Sequence, residues 1–347
     1  MTAFASRVVE WQATQGRHGL PWQGTRDAYR IWLSEIMLQQ TQVSTVLGYF
    51  ERFIARFPRV GDLALASDDE VMALWSGLGY YARARNLHRA ARDVVQRFGG
   101  VFPARFEDLV TLPGIGRSTA SAIAAFASGE RRAILDGNVR RVLARHGGIA
   151  GDPSRAAVQQ ALWSEAESRL PTAAIEAYTQ GMMDLGANVC VPRDPRCLLC
   201  PVNADCVARI EERVHELPGR KARAPARRKR ISMLVVLRGA EVLLEKRAPS
   251  GIWGGLWSLP EAAADAVPAE VLAREWGLHA AEASPLQAFE HAFTHFTLEV
   301  APWRIHLAAG ARQQAARDGR PGIWLALDEV KGAALPSPVK KLLLSLK

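Results

Sequence analysis

The chain has 347 residues, 48% of them hydrophobic, and a formal net charge of +9. This length predicts two domains with buried cores. The sequence has neither an apolar run long enough to span a membrane nor a secretory signal, which favours a cytoplasmic, reducing compartment. The charge indicates a polyanionic partner only weakly, because residues 213–230 alone carry eight Lys or Arg against one acid.

Residues 1–212 are predicted to form a helical domain, because apolar residues recur at helical spacing and Gly or Pro closes the segments. Within it, Ile31–Val43 is predicted as one helix with Trp32, Glu35, Gln39 and Gln42 on a single face. Glu35 is the only carboxylate in this otherwise uncharged segment. Partial burial would raise its pKa and suit it to act as an acid near neutral pH. The alternative is an exposed helical glutamate.

The next candidate is the glycine-rich segment 112–118, which reads Leu-Pro-Gly-Ile-Gly-Arg-Ser and precedes a helix predicted to begin near Arg117. Gly114 and Gly116 allow a sharp turn that presents N–H groups outward, and the helix N-terminus can bind phosphate. The pattern is that of a helix-hairpin-helix, which grips the DNA backbone regardless of sequence. The alternative is an ordinary corner between two helices.

Asp136 lies in the segment 133–139, just ahead of a helical run that ends near Arg145. Either Asp136 or Asn138 could simply cap that helix. The functional interpretation is a carboxylate at the mouth of a cleft, where it would stabilise positive charge developing on a sugar. An acid for the leaving group and a carboxylate for the oxocarbenium ion together suit cleavage of a glycosidic bond.

Four cysteines, the only ones in the chain, fall within 17 residues with the spacing C-x6-C-x2-C-x5-C. They are Cys190, Cys197, Cys200 and Cys206. Thiols clustered in a reducing compartment are typical of metal ligands rather than disulfides. Only the central pair has the short spacing common in structural zinc sites, which favours a 4Fe–4S cluster; zinc, disulfides and free thiols are the alternatives.

A basic linker is predicted at 213–230, and a smaller α/β domain at 231–347. Apolar runs at 231–237 and 242–245 indicate a hairpin, while residues 290–300 and 303–307 alternate as strands do. Helices are expected near 268–276 and 336–346, and the alanine-rich stretch near 261–270 is expected to be a loop that leads into a helix. Arg227–Arg230 could also pass for a nuclear signal.

The order of these motifs resembles the helix-hairpin-helix DNA glycosylase superfamily with an iron–sulfur loop. The segments 34–42 and 77–86 are similar to those of adenine DNA glycosylases of the MutY type. The resemblance covers essentially the whole chain. It implies a mostly α N-terminal half of two helical subdomains with a 4Fe–4S loop, and a smaller α/β Nudix-like C-terminal domain. It also implies a bacterial, nucleoid-associated monomer that acts on double-stranded DNA and binds no membrane.

The implied activity is hydrolysis of the N-glycosidic bond of adenine mispaired with 8-oxoguanine or guanine. In this family pattern Glu35 protonates adenine and Asp136 stabilises the oxocarbenium ion. The resemblance also assigns roles to the other site residues. Ser118 and Asn138 line the pocket, and Gln39, Gln40 and Tyr80 enter the duplex. Gly114 and Gly116 bind phosphate. The four cysteines would hold one 4Fe–4S cluster per chain, in a loop whose Arg193 and Arg196 face DNA phosphates.

One position separates two subfamilies. Glycosylases of the endonuclease III type carry a lysine where this chain has Ser118, and that lysine attacks the sugar before the strand is cut. The resemblance therefore implies an enzyme that removes the base and stops. The alternatives are a bifunctional pyrimidine-lesion glycosylase and lyase, or an iron–sulfur protein that binds DNA without chemistry.

The C-terminal domain resembles Nudix domains, but its metal-binding box is incomplete. Arg274 and Glu275 match the box, whereas Trp276 and Gly277 follow where further glutamates belong. A magnesium-dependent nucleotide hydrolase is therefore not expected. The family uses this domain to recognise 8-oxoguanine, and the matching residues are Phe293, Thr294 and His295. The alternative is a buried strand with alternating side chains.

Overall fold

The computed structural model describes residues 2–219, 227–293, 295–308, 316–317 and 320–346. Backbone contacts divide the chain into two compact units. The first comprises residues 2–65 and 86–219, and the second comprises residues 66–85 and the described residues from 227 onward. In the described part of the chain, no helix is long and apolar enough to cross a membrane.

The described residues up to 212 are mostly helical, as predicted. The helices are α1 (Ala3–Gln15), α2 (Ala28–Leu38), α3 (Val43–Arg56), α4 (Val60–Leu65), α5 (Asp68–Trp75), α6 (Ala82–Phe98), α7 (Phe106–Leu109), α8 (Arg117–Ser128), α9 (Gly137–His146), α10 (Ala156–Ser168), α11 (Ile175–Asp184) and α12 (Val207–Ile210). A π-helical turn, Leu185–Val189, follows α11, and a 3₁₀ turn, Cys197–Leu199, lies in the cysteine loop.

In the first unit, α1 packs against α11, and α2 packs against α8. The apolar side chains of α1, α9 and α11 share one buried core, which includes Phe4, Val8, Leu143 and Met182. Burying such side chains contributes roughly 1.5–3 kcal/mol each relative to exposure. This core includes residues of α8 and α9, two of the helices that carry the candidate site.

The predicted single helix over residues 31–43 is wrong. Helix α2 ends at Leu38, Gln40 takes a left-handed backbone with φ +57°, and α3 begins only at Val43. The Thr41 hydroxyl and N–H donate to the carbonyls of Gln39 and Leu38 respectively, which satisfies the helix end locally. Gln39 and Gln42 therefore lie outside the helical face that carries Glu35.

The second unit is built on a twisted mixed sheet. Its strands are β1 (Arg227–Arg238), β2 (Glu241–Lys246), β3 (Trp257–Ser258), β4 (Glu261–Ala263), β5 (Ala280–Pro285), β6 (Phe289–Ala292), β7 (Phe296–Leu307), β8 (Ala316–Arg317) and β9 (Arg320–Ala326). The predicted β1–β2 hairpin is confirmed, since Leu237 pairs with Val242. Strand β1 starts at Arg227, within the segment interpreted as the linker, of which residues 220–226 lie outside the described residues.

The predicted strands at 290–300 and 303–307 differ from the structure. The chain reverses after Ala292, so that β6 and β7 pair antiparallel, and β7 continues without a break to Leu307. The predicted loop near 261–270 likewise includes the short strand β4. Helices α13 (Pro268–Trp276) and α14 (Ser337–Leu344) lie where helices were predicted. Strand β1 also pairs in parallel with β7. Apolar side chains of both strands pack against the apolar face of α13.

Candidate active site

A cleft of about 1450 Å³ opens in the first unit. Its walls come from α2, from the N-termini of α8 and α9, and from the loop between α1 and α2. Six of the predicted site residues line it: Glu35, Gln39, Gln40, Ser118, Asp136 and Asn138. Residues far apart in sequence therefore meet at one surface, large enough for a nucleobase and its sugar.

Glu35 extends from α2, whose neighbouring side chains Ile36 and Met37 are buried. Burial raises the pKa of Glu35 to about 8, and the negative charge of Asp136 adds to the increase. A carboxyl group with this pKa is mostly protonated at neutral pH. It can therefore donate a proton to a bound ligand, which an exposed glutamate could not do.

Asp136 is both a helix cap and a wall of the cleft. Its carboxylate accepts hydrogen bonds from the N–H groups of Asn138 at 2.7 Å and Val139 at 2.8 Å. Burial raises the pKa of Asp136, while these N–H donors and the charge of Arg141 oppose the increase. The N-terminal end of α9 further favours the ionised form. The capping interpretation of Asp136 is therefore confirmed, and the same residue lines the cleft.

Ser118 fixes the backbone that leads into Asp136. Its hydroxyl oxygen accepts a hydrogen bond from the N–H of Leu135 at 2.9 Å. Gln39 lies nearby and donates to the hydroxyl of Thr119 at 3.4 Å. The start of α8 therefore supports both carboxyl-bearing elements of the cleft.

Sequence reasoning missed Arg141. Its guanidinium donates to the side-chain oxygen of Asn138 at 2.8 Å, to the carbonyl of Gly186 at 2.6 Å and to the carbonyl of Cys190 at 2.6 Å. A Cβ atom on Gly186 would lie 2.6 Å from Cβ of Asn138, so the π-helical turn can approach only as glycine. The one available signal was the spacing of three residues from Asn138, which places Arg141 one turn further along α9.

The two glycines of the hairpin differ in whether the backbone at their position requires glycine. Gly114 has φ +78°, and a Cβ atom there would lie 2.8 Å from Cβ of Asn86. Gly116 has φ −85°, which any residue adopts, and a Cβ atom there would meet no atom of the described residues within 4 Å. The expectation that both glycines serve the turn is therefore wrong for Gly116. That residue instead leaves open space in front of α8, whose N-terminus has no side-chain cap.

Tyr80 belongs to the second unit, in the turn between α5 and α6. It has φ +47°, and its side chain is 48% exposed. The guanidinium of Arg83 lies 5.3 Å from the Trp75 ring and 5.6 Å from the Tyr80 ring, and it donates to the carbonyls of Leu78 and Gly79 at 3.2 Å each. A buried cation thus holds an exposed aromatic side chain in a strained turn.

The four cysteines are half-buried free thiols at the edge of the helical core. Burial raises the pKa of Cys200 to about 12, and the charges of the other three thiols add to the increase, so the four lie within electrostatic range of one another. Such thiolates need bound cations to offset their repulsion, and this donor set suits iron. In the described ranges, no three or more His, Cys, Asp or Glu side chains are placed around a single metal ion.

Phe293 and His295 lie between β6 and β7 and outside both strands, so the alternative of a buried strand is wrong for these two residues. Thr294 lies outside the described residues, and His295 is exposed. The Phe293 ring stacks on Phe296 with centroids 4.6 Å apart and contacts the rings of His291 and Trp253. A cluster of aromatic side chains therefore packs around Phe293.

Comparisons with known proteins agree with both halves of the fold. Residues 33–168 match the model of the HhH-GPD superfamily of base excision DNA repair proteins, and residues 232–345 match the NUDIX domain. A solved thermostable thymine-DNA glycosylase is 28% identical, with a TM-score of 0.54 over 60% of this chain and 95% of that one. The fold and the cleft thus define a helix-hairpin-helix base excision repair enzyme.

More similar relatives narrow this class. The adenine DNA glycosylase of Buchnera aphidicola subsp. Schizaphis graminum is 36% identical, covering 98% of this chain and 97% of its own length. The adenine DNA glycosylase of Homo sapiens is 34% identical, covering 98% and 73% respectively. The chain belongs to the adenine DNA glycosylases, DNA repair hydrolases that act on N-glycosyl bonds.

Proposed function

We propose that this enzyme removes adenine opposite 8-oxoguanine or guanine in double-stranded DNA and leaves the sugar–phosphate strand intact. The observation that carries the chemical part is the pairing of Glu35, with its pKa raised to about 8, and the helix-capping Asp136 in one cleft. Burial raises the pKa of both carboxyl groups, but the N–H donors of Asn138 and Val139 favour the ionised form of Asp136 alone, which suits Glu35 as the acid and Asp136 as the electrostatic stabiliser.

The reaction begins when adenine leaves the base stack, at a cost of a few kcal/mol, and enters the cleft. Glu35 protonates the base at N7, which weakens the bond between base and sugar. Positive charge then develops on the sugar, and the Asp136 carboxylate stabilises it. Water adds to the sugar and gives up a proton to the Glu35 carboxylate, which restores the acid, and the products are free adenine and an abasic site.

The absence of a suitable amine supports hydrolysis without strand cleavage. Lyase chemistry needs an amine that forms a Schiff base with the sugar. The sequence has no lysine before Lys221, and Ser118 stands at the position of the lysine in the bifunctional relatives. The hydroxyl of Ser118 is already bound to the N–H of Leu135. The bifunctional alternative therefore lacks its nucleophile.

We also propose that Cys190, Cys197, Cys200 and Cys206 hold one 4Fe–4S cluster. The four thiols lie within electrostatic range of one another and match the four cysteines that hold such clusters. The cluster would order the loop that presents Arg193 and Arg196 to phosphates. Hydrolysis of a glycosidic bond needs no electron transfer, so we assign the cluster a structural role.

The C-terminal unit is proposed to read the base opposite adenine, through the turn at Phe293 and His295. A nucleotide hydrolase is disfavoured, because α13 ends at Trp276 and Gly277 turns left-handed with φ +63°. The carboxylates that would hold magnesium on that helix are therefore missing in both sequence and structure. The guanidinium of Arg274 instead pairs with the adjacent Glu275.

A product assay tests this proposal. Excess protein is incubated with a duplex that holds one adenine opposite 8-oxoguanine, and strand breaks are compared with and without hot alkali. We expect breaks only after alkali, and no adduct trapped by borohydride. Breaks without alkali, or a trapped adduct, would reject the monofunctional assignment. A duplex with adenine opposite thymine is the control for mispair selectivity.

A further inference from the structure

The segment 66–85 belongs to the same compact unit as the C-terminal region, although most of the helical part separates them in sequence. This segment contains α5 and the strained turn of Tyr80. Contacts of three of its residues, Asp69, Ser76 and Arg85, hold it there. The Asp69 carboxylate accepts from Lys246 and, at 3.0 Å, from the indole of Trp257. The hydroxyl of Ser76 donates to the carbonyl of Leu335 at 2.7 Å.

The contact of Arg85 is the one closest to the proposed recognition turn. The guanidinium of Arg85 donates to the carbonyl of Gly254 at 2.6 Å. Gly254 follows Trp253, whose ring lies 5.8 Å from that of Phe293. A Cβ atom on Gly254 would lie 2.6 Å from the carbonyl oxygen of Pro249, so this loop is tightly packed. Arg85 is therefore attached to the loop that supports the proposed recognition residue.

On its other side, Arg85 is attached to the Tyr80 turn. The N–H of Arg85 donates to the carbonyl of Tyr81 at 3.2 Å, and the N–H of Arg83 donates to the carbonyl of Tyr80 at 2.8 Å. These bonds make Arg85 part of the first helical turn after Tyr80. Arg85 therefore connects the loop at Gly254 to the backbone that follows the exposed tyrosine.

We propose that Arg85 is a positioning residue, which couples recognition of the opposite base at the Phe293 turn to insertion of Tyr80 beside the target pair. This rests on the proposed function. A charge-assisted hydrogen bond in a partly buried position is strong enough to transmit such a bias. Tyr80, although its sequence lies in the helical half, then acts as part of the recognition unit.

The first test needs no DNA. Amide hydrogen exchange is measured on the full chain for Arg85→Met, for Arg85→Lys and for Arg89→Met, an exposed arginine one turn along α6 that serves as the charge-loss control. We expect Arg85→Met to speed exchange in residues 77–83 and 251–256 together, with α2 and α8 unchanged, and Arg85→Lys to restore part of the protection. Unchanged exchange, or a uniform increase across the chain, would overturn the coupling.

The second test measures discrimination. Single-turnover excision of adenine opposite 8-oxoguanine and opposite guanine is compared for the same variants. Arg85→Met should lose about fivefold to tenfold more rate on the 8-oxoguanine duplex than on the guanine duplex. Equal losses on both duplexes would reduce Arg85 to a structural role and overturn the proposal. If the wild type excises neither adenine, the proposed function fails, while the exchange result still decides the coupling.

Discussion

At the scale of single residues, the two carboxyl groups of the cleft differ through their surroundings. Glu35 and Asp136 could be chosen from the sequence, because an isolated acid in an apolar helix and an acid ahead of a helix are recognisable patterns. Arg141 could not be chosen from the sequence, because two of its partners, the carbonyls of Gly186 and Cys190, lie more than 40 residues away in sequence. Side chains that bind distant backbone carbonyls leave no local signature.

The raised pKa of Glu35 predicts the pH dependence of excision. The protonated form is the acid, so the single-turnover rate should be high below pH 8 and should fall as the pH rises through about 8. On the acid side, the rate should fall once Asp136 is protonated, since its carboxylate must be ionised. A rate that increases steadily from pH 7 to pH 9 would contradict the assigned role of Glu35.

At the scale of the elements, helix starts were easier to predict than interruptions. Helix α8 begins at Arg117, as the glycine-rich segment indicated. The break after Leu38 was missed because Gln-Gln-Thr-Gln is compatible with a helix, and the left-handed Gln40 has no glycine to announce it. The reversal after Ala292 was missed for a related reason, since its residues continue the alternation of the strand.

The hairpin before α8 offers a matched pair of substitutions. Gly114→Ala should destabilise the fold by about 2 kcal/mol or more, because it adds a side chain at φ +78° and contacts Asn86 too closely. Gly116→Ala should leave thermal stability unchanged, since its backbone is ordinary and its surroundings are open. Thermal unfolding of both variants checks this.

The same pair tests the interaction with DNA. If a phosphate approaches the uncapped N-terminus of α8, Gly116→Ala should weaken DNA binding and reduce its salt dependence without affecting folding. Binding to an unmodified duplex, measured at several salt concentrations, gives the answer. Binding equal to that of the wild type at every salt concentration would place the phosphate contact elsewhere.

At the scale of the whole molecule, two long-range links organise the chain, and hydrophobic periodicity predicts neither of them. One joins segment 66–85 to the C-terminal unit. The other runs within the first unit, from the cleft through Arg141 to the carbonyl of Cys190, while Arg145 binds the carbonyl of Val191 at 2.8 Å. Helix α9 therefore connects Asp136 to the cysteine loop.

This second link predicts that Arg141→Met affects two properties at once. Loss of its hydrogen bonds frees the Asn138 side chain and loosens the backbone at Cys190, so both the excision rate and the bound iron per chain should decrease. Iron analysis and single-turnover rates, corrected for iron content, separate the two effects. Arg155→Met, at an exposed position before α10, is the control with the same loss of charge. Full iron content with an unchanged rate would show that the link is dispensable.

The most direct test of the central claim, acid catalysis by Glu35, is the excision rate of Glu35→Gln on adenine opposite 8-oxoguanine under single-turnover conditions, with DNA affinity measured in parallel. Glutamine keeps the shape of the side chain and lacks the transferable proton. We expect unchanged affinity and a rate about 10²-fold to 10⁴-fold lower. Excision at the wild-type rate, with the duplex bound equally well, would contradict it.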